Sequence, residues 1–269
     1  MFVHPGRQGR KGLNDGTGLN DGTGAKDRLI VALDVETAAE AREVFAALRD
    51  GAGMFKVGPH LFTSAGPAVV REIVAAGGRV FLDLKFHDIP AVVAAAGREA
   101  ARLGVSLFTV HAAGGAEMLK RVAEAVADTA GREGLGRPRV LGVTVLTSAD
   151  DATLAETGVG CGVGEQVARL AGLAGESGLD GCIASPHEIA IVRRAVSRTG
   201  FLVVTPGVRP QSAAHDDQRR VLTPEQAVRS GADYVVVGRA ILKAPNRARA
   251  AREIVEEMER GMETVSSEQ

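Results

Sequence analysis

A single α/β domain of the (β/α)8 type, a TIM barrel, is the fold class this sequence predicts, and three observations predict it. Short apolar, β-branched runs alternate eight times with Ala- and Glu-rich helical stretches. These units fill residues 28–262, close to the roughly 250 residues usual for such a barrel. The first run leads into Val35-Glu-Thr-Ala, not into the Gly-x-Gly-x-x-Gly turn that an open dinucleotide-binding sheet would carry.

The elements follow in order. Residues 29–34, Leu-Ile-Val-Ala-Leu-Asp, form an unbroken apolar run ending in a carboxylate, as expected of a parallel strand covered on both faces. Helix 38–49 follows. Strand 54–57 and helix 67–76 make the second unit, strand 80–85 and helix 89–103 the third, and strand 107–111 and helix 116–130 the fourth. Strand 140–146 precedes helix 165–176, and strand 181–184 precedes helix 186–196. Strand 202–205 leads to helix 224–230, and strand 234–237 to a last helix, 245–262. Residues 1–27 contain Leu-Asn-Asp-Gly-Thr-Gly twice, at 13–18 and 19–24. With almost nothing to bury, this segment reads as a disordered Gly-rich tail, and residues 263–269 as a flexible C-terminus.

Composition narrows the function classes. Thirty-two Lys and Arg stand against 33 Asp and Glu, so no global field draws in nucleic acid or an anionic membrane. Aromatics are 3% with no Trp, which removes the stacking platforms of single-strand binders. No apolar run approaches the ~18 residues of a spanning helix, and the N-terminus lacks the apolar core of a secretion signal. The two cysteines, Cys161 and Cys182, match no metal spacing and make no disulfide framework. The expectation is a cytoplasmic protein whose partner is a small molecule.

The chemistry gathers at the strand ends, where this fold builds its active sites. Val80-Phe-Leu-Asp-Leu-Lys-Phe-His-Asp-Ile-Pro90 sets Asp83 and Lys85 on one face of a strand, with Asp88 in the loop beyond. Asp34 closes the first strand and Lys56 sits in the second. Strand parity turns Asp34, Lys56, Asp83 and Lys85 the same way, inward, above apolar residues. Opposite charges ~4 Å apart attract by roughly 4 kcal/mol at an effective dielectric near 20, which offsets part of the cost of burying them.

A second group leaves the seventh and eighth strands. Thr205-Pro-Gly-Val-Arg-Pro210 holds Arg209 in a Pro/Gly frame, and Val237-Gly-Arg-Ala-Ile241 carries Gly238 and Arg239. These two loops are the usual phosphate site of the fold. Gly238 lets a phosphate approach the backbone N–H groups, an Arg fork pairs with its oxygens, and Gln218 adds a neutral donor from the loop between them. Thr147, after the fifth strand, offers a hydroxyl to a polar ring or caps a turn. His111 reads either as an acid–base group or as a side chain that holds a neighbour by hydrogen bonds. His87 reads as a surface or packing residue.

On Val31-Ala-Leu-Asp-Val35, Phe55-Lys-Val-Gly58, Phe81-Leu-Asp-Leu-Lys-Phe-His-Asp-Ile-Pro90, Thr205-Pro-Gly-Val-Arg-Pro210, Asp217-Gln-Arg219 and Val237-Gly-Arg-Ala-Ile241, the chain resembles the orotidine 5'-phosphate decarboxylase family. The resemblance spans residues 28–241. It implies conversion of orotidine 5'-phosphate to uridine 5'-phosphate and CO₂ without metal or organic cofactor. It implies Lys85 as proton donor to C6 and an array completed by Lys56, Asp83 and Asp88, with Asp88 reaching across from the second subunit of a homodimer. Asp34 and Lys56 are then expected at the ribose, Thr147 and Ile89 at the pyrimidine, and Arg209, Gln218, Gly238 and Arg239 at the phosphate. Related Mg²⁺-dependent barrels use Asp-x-Lys-x-x-Asp for other chemistry, and there an acidic residue stands where this chain has Lys56.

Overall fold

The computed structural model describes residues 24–210 and 222–267. Eight parallel strands close into a barrel in chain order. A helical turn, α1 (Ala25–Arg28), leads into β1 (Leu29–Ala32), α2 (Ala38–Leu48) and β2 (Met54–Val57). Then come α3 (Pro59–Ala65), α4 (Ala68–Ala75), β3 (Val80–Phe86), α5 (Pro90–Arg102), β4 (Leu107–His111) and α6 (Gly115–Glu133). The second half holds β5 (Arg139–Val143), α7 (Asp151–Glu156), α8 (Val163–Glu176), β6 (Gly181–Ile183) and α9 (Ile189–Ala195). It closes with β7 (Leu202–Pro206), α10 (Pro224–Arg229), β8 (Tyr234–Val237), α11 (Arg239–Leu242) and α12 (Arg247–Ser267).

Alternation along the strands divides the core in two. Ile30, Ala32, Met54, Phe81, Leu107, Leu141, Leu202, Val204, Tyr234 and Val236 fill the barrel interior. Their sequence neighbours, among them Val31, Phe55, Leu82, Phe108, Val140, Val203 and Val235, face the helices in a larger outer layer. The inner residues stop short of the strand ends. Above Ala32, Met54 and Phe81 the next inward positions are Asp34, Lys56 and Asp83, as strand parity requires.

The differences from the sequence expectation lie at element ends. β1 stops at Ala32, and β5 stops at Val143, where its partner β6 ends at Ile183. Leu33 still donates to the Lys56 carbonyl at 2.9 Å, so Asp34 keeps its inward place without ladder bonds of its own. Three short helices, α3, α7 and α11, add to the eight strand–helix units that the sequence predicts. The tail reading is corrected at residues 25–27. Ala25 is buried and α1 lies against α12, while residues 1–23 fall outside the described residues. The flexible C-terminus is corrected for residues 263–267, since α12 runs on to Ser267, while residues 268 and 269 fall outside the described residues. Met262 packs on the core and Arg229 donates to Thr264 Oγ1 at 3.0 Å, so contacts beyond Met262 hold the helix.

Candidate active site

The charged residues meet at the C-terminal mouth of the barrel in a cavity of about 700 Å³. Lys85 Nζ lies 2.9 Å from Asp83 Oδ2, and Lys56 Nζ lies 3.8 Å from the same oxygen and 3.1 Å from Asp34 Oδ1. The chain Asp34, Lys56, Asp83, Lys85 thus alternates in sign across three neighbouring strands. Asp83 and Lys56 are the deeper pair, each with a side chain 13% exposed. Gly58 leaves room for the lysine, since a Cβ there would stand 3.2 Å from Lys56 Nζ.

The backbone beneath Lys85 is irregular. β3 pairs with β4 as Leu82 to Phe108 and next as Phe86 to Val110, so Asp83, Leu84 and Lys85 bulge opposite Thr109. An odd count of extra residues would have flipped the strand; two extra keep Phe81, Asp83 and Lys85 on one face. Lys85 has φ +52°, the one non-glycine residue with positive φ among the described residues. Such a conformation costs of order 1–3 kcal/mol and persists only where its surroundings impose it. Here the Lys85 N–H donates to Thr109 Oγ1 at 2.9 Å, and the Thr109 hydroxyl donates to Asp83 Oδ1 at 3.0 Å.

Thr147, Arg209, Gly238 and Arg239 line the same cavity. Gly207, at φ +79°, supplies the left-handed turn that brings Arg209 round after Pro206. A Cβ at Gly238 would meet Asp34 Oδ2 and Ala32 Cβ at 3.4 Å each, so the bare backbone keeps the mouth open between β8 and β1. Gln218 lies outside the described residues. Asp88 and Ile89 do not join the cavity within one chain. Both are exposed, and Asp88 Oδ1 accepts from the Ile89 N–H at 2.7 Å.

Other side chains on the wall were not foreseen: Ser148, Ser185, Pro186, His187 and Pro206. A signal existed for the group after β6, where Ser185-Pro-His-Glu188 spells a capping box, with Ser185 N–H donating to Glu188 Oε2 at 2.9 Å. Thr109 gave none, because a threonine inside a strand reads as an ordinary β-former.

His87 and His111 stand with ring centroids 5.3 Å apart. Burial lowers the His111 pKa from its ordinary value, the charges of His87 and Lys85 lower it further, and Asp83 acts the other way. Cys182 is wholly buried in the outer layer, which pushes its thiol up to about 12, and Cys161 is likewise unbridged.

Residues 27–254 match the family model described as Orotidine 5'-phosphate decarboxylase / HUMPS family. An orotidine 5'-phosphate decarboxylase of Geotalea daltonii is 50% identical over 238 residues, 88% of this chain and 98% of the relative. One from Syntrophotalea carbinolica is 52% identical over 241 residues, 89% and 98% of the two chains. The crystal structure of orotidine 5'-phosphate decarboxylase from Lactobacillus acidophilus superposes with a TM-score of 0.76 at 36% identity, covering 86% of this chain and 98% of that one. With its barrel and its mouth residues in place, and with relatives of this likeness along most of its length, the chain belongs to the orotidine 5'-phosphate decarboxylase / HUMPS family.

Proposed function

We propose that this chain converts orotidine 5'-phosphate to uridine 5'-phosphate and CO₂ in pyrimidine synthesis, without a metal. The observation that carries the reading is Asp83 held between two ammonium groups, 2.9 Å from Lys85 and 3.8 Å from Lys56, in the cavity that Arg209 and Arg239 also line. Breaking the bond between C6 and the carboxylate leaves an electron pair on C6 with poor delocalisation. Fixed positive charge at that point stabilises it. Lys85 supplies the charge and then gives a proton from Nζ to C6. Asp83, beside the substrate carboxylate, repels it until CO₂ departs.

Asp34 and Lys56 serve the ribose hydroxyls, and Thr147 the pyrimidine. Arg209, Arg239, the Gly238 backbone and Gln218 take the phosphate, whose binding energy is then available to the transition state. Asp88 and Ile89 act in the site of a second copy of the chain, which makes the working unit a homodimer. Lys56 also bears on the metal. Between Asp34 and Asp83 stands an ammonium group, where a divalent cation would need those carboxylates for itself.

The test is an absorbance assay of orotidine 5'-phosphate loss by purified protein, with and without EDTA. Turnover is expected, unchanged by the chelator and abolished in Lys85→Ala, which retains uridine 5'-phosphate binding. No turnover in the unmodified protein, turnover that EDTA removes, or full turnover in Lys85→Ala each overturns the reading.

A further inference from the structure

We infer that Thr109 is a positioning residue for the reaction, its one hydroxyl setting both the backbone of Lys85 and the carboxylate of Asp83. The inference rests on the decarboxylase reading above. Thr109 is fully buried on β4, on the barrel-interior parity of Leu107 and His111. It sits opposite the three residues by which β3 departs from its register. A carboxylate only accepts hydrogen bonds and a backbone N–H only donates. The Thr109 hydroxyl must therefore donate its proton to Asp83 Oδ1, at 3.0 Å, and accept from Lys85 N–H, at 2.9 Å. No other assignment of that proton satisfies both partners.

Two consequences follow. First, the Lys85 N–H, turned away from the ladder by the bulge, has a partner that holds the residue at φ +52°. Second, Asp83 has its two oxygens assigned to different tasks. Oδ1 is fixed by Thr109, which leaves Oδ2 to face Lys85 Nζ at 2.9 Å and Lys56 Nζ at 3.8 Å. A carboxylate freed at Oδ1 can rotate about its last bond, and its angle to both ammonium groups goes with it. The β-branched side chain adds stiffness of its own, since its χ1 has few choices in a strand. Thr109 touches no reacting atom in this arrangement; it acts through Lys85 and Asp83.

The discriminating pair of variants is Thr109→Val, which keeps shape and loses the hydroxyl, and Thr109→Ser, which does the reverse. Thr109→Val is expected to lower kcat by ~10- to 100-fold, as losing a positioning contact to a catalytic group does, while KM for orotidine 5'-phosphate moves less than about 3-fold. Thr109→Ser should stay within about 5-fold of the unmodified kcat. A packing role predicts the opposite order, with the serine variant the poorer enzyme. Should Thr109→Val fail to fold, Thr109→Cys takes its place, because a thiol is close to serine in shape and a weak donor; it is expected to lose kcat with KM retained. An unmodified enzyme that turns over beside a fully active Thr109→Val or Thr109→Cys overturns this inference alone. An unmodified protein with no turnover overturns the decarboxylase reading first.

Discussion

Lys85 lies where the requirements of backbone and side chain conflict. Its left-handed backbone costs of order 1–3 kcal/mol, and its charged side chain is only 30% exposed. Asp83 offsets both by accepting from Nζ while tied through Thr109 to the Lys85 N–H. His111, the next inward residue of β4, completes this corner. Its pKa is lowered by burial first, then by the charges of His87 and Lys85, against the pull of Asp83. Above the ordinary value of 6.5 neither folded nor unfolded chain holds that proton, so His111 adds nothing to the pH dependence. As pH falls below 6.5 the unfolded chain takes up the proton first, and stability is lost until the pH passes under the folded value. Urea midpoints measured between neutral pH and about pH 5 should therefore fall more steeply for the natural chain than for His111→Gln. Parallel slopes would show that the folded imidazole titrates normally.

Helices α5 and α6 pack closely against each other, and that packing depends on a residue whose importance the sequence hides. Gly97 sits mid-helix in α5, where glycine is ~1 kcal/mol worse than alanine. A Cβ there would stand 2.7 Å from Val122 Cγ2 and 3.0 Å from Val126 Cγ2 of α6. Gly97→Val should lower stability by about 1–3 kcal/mol through overpacking, read as a lower thermal midpoint, while kcat at a permissive temperature stays near that of the natural chain. An unchanged midpoint would mean that α5 can move away at little cost. The helices and strands themselves were legible because buried parallel strands are apolar runs, and because inner and outer faces alternate strictly. That alternation placed Asp34, Lys56, Asp83 and Lys85 together before any geometry was known. Gly97 and Thr109 were illegible for one reason: each owes its role to a residue on a neighbouring element, Val122 for one and the bulged β3 for the other.

In the whole molecule, the mouth of a single chain gathers every described residue expected at the site except Asp88 and Ile89. Asp88 is exposed, and among the described residues its carboxylate accepts from the next residue's N–H. Beside it, Ile89 is 64% and Val92 46% exposed, two of the three large apolar side chains left open to solvent among the described residues. Exposed apolar groups beside this carboxylate suit a surface that a second copy covers, and the homodimer proposed above has each chain's Asp88 at its partner's mouth. Mixed chains test that arrangement. Lys85→Ala and Asp88→Ala are each expected to be inactive alone. In a hybrid of the two, one site has lost both residues, while the other combines Lys85 of one chain with Asp88 of its neighbour and is whole. Random exchange makes half the dimers hybrid, so the mixture should recover about a quarter of the natural chain's activity. Sites confined to one chain would recover none, even with exchange demonstrated by differently tagged subunits.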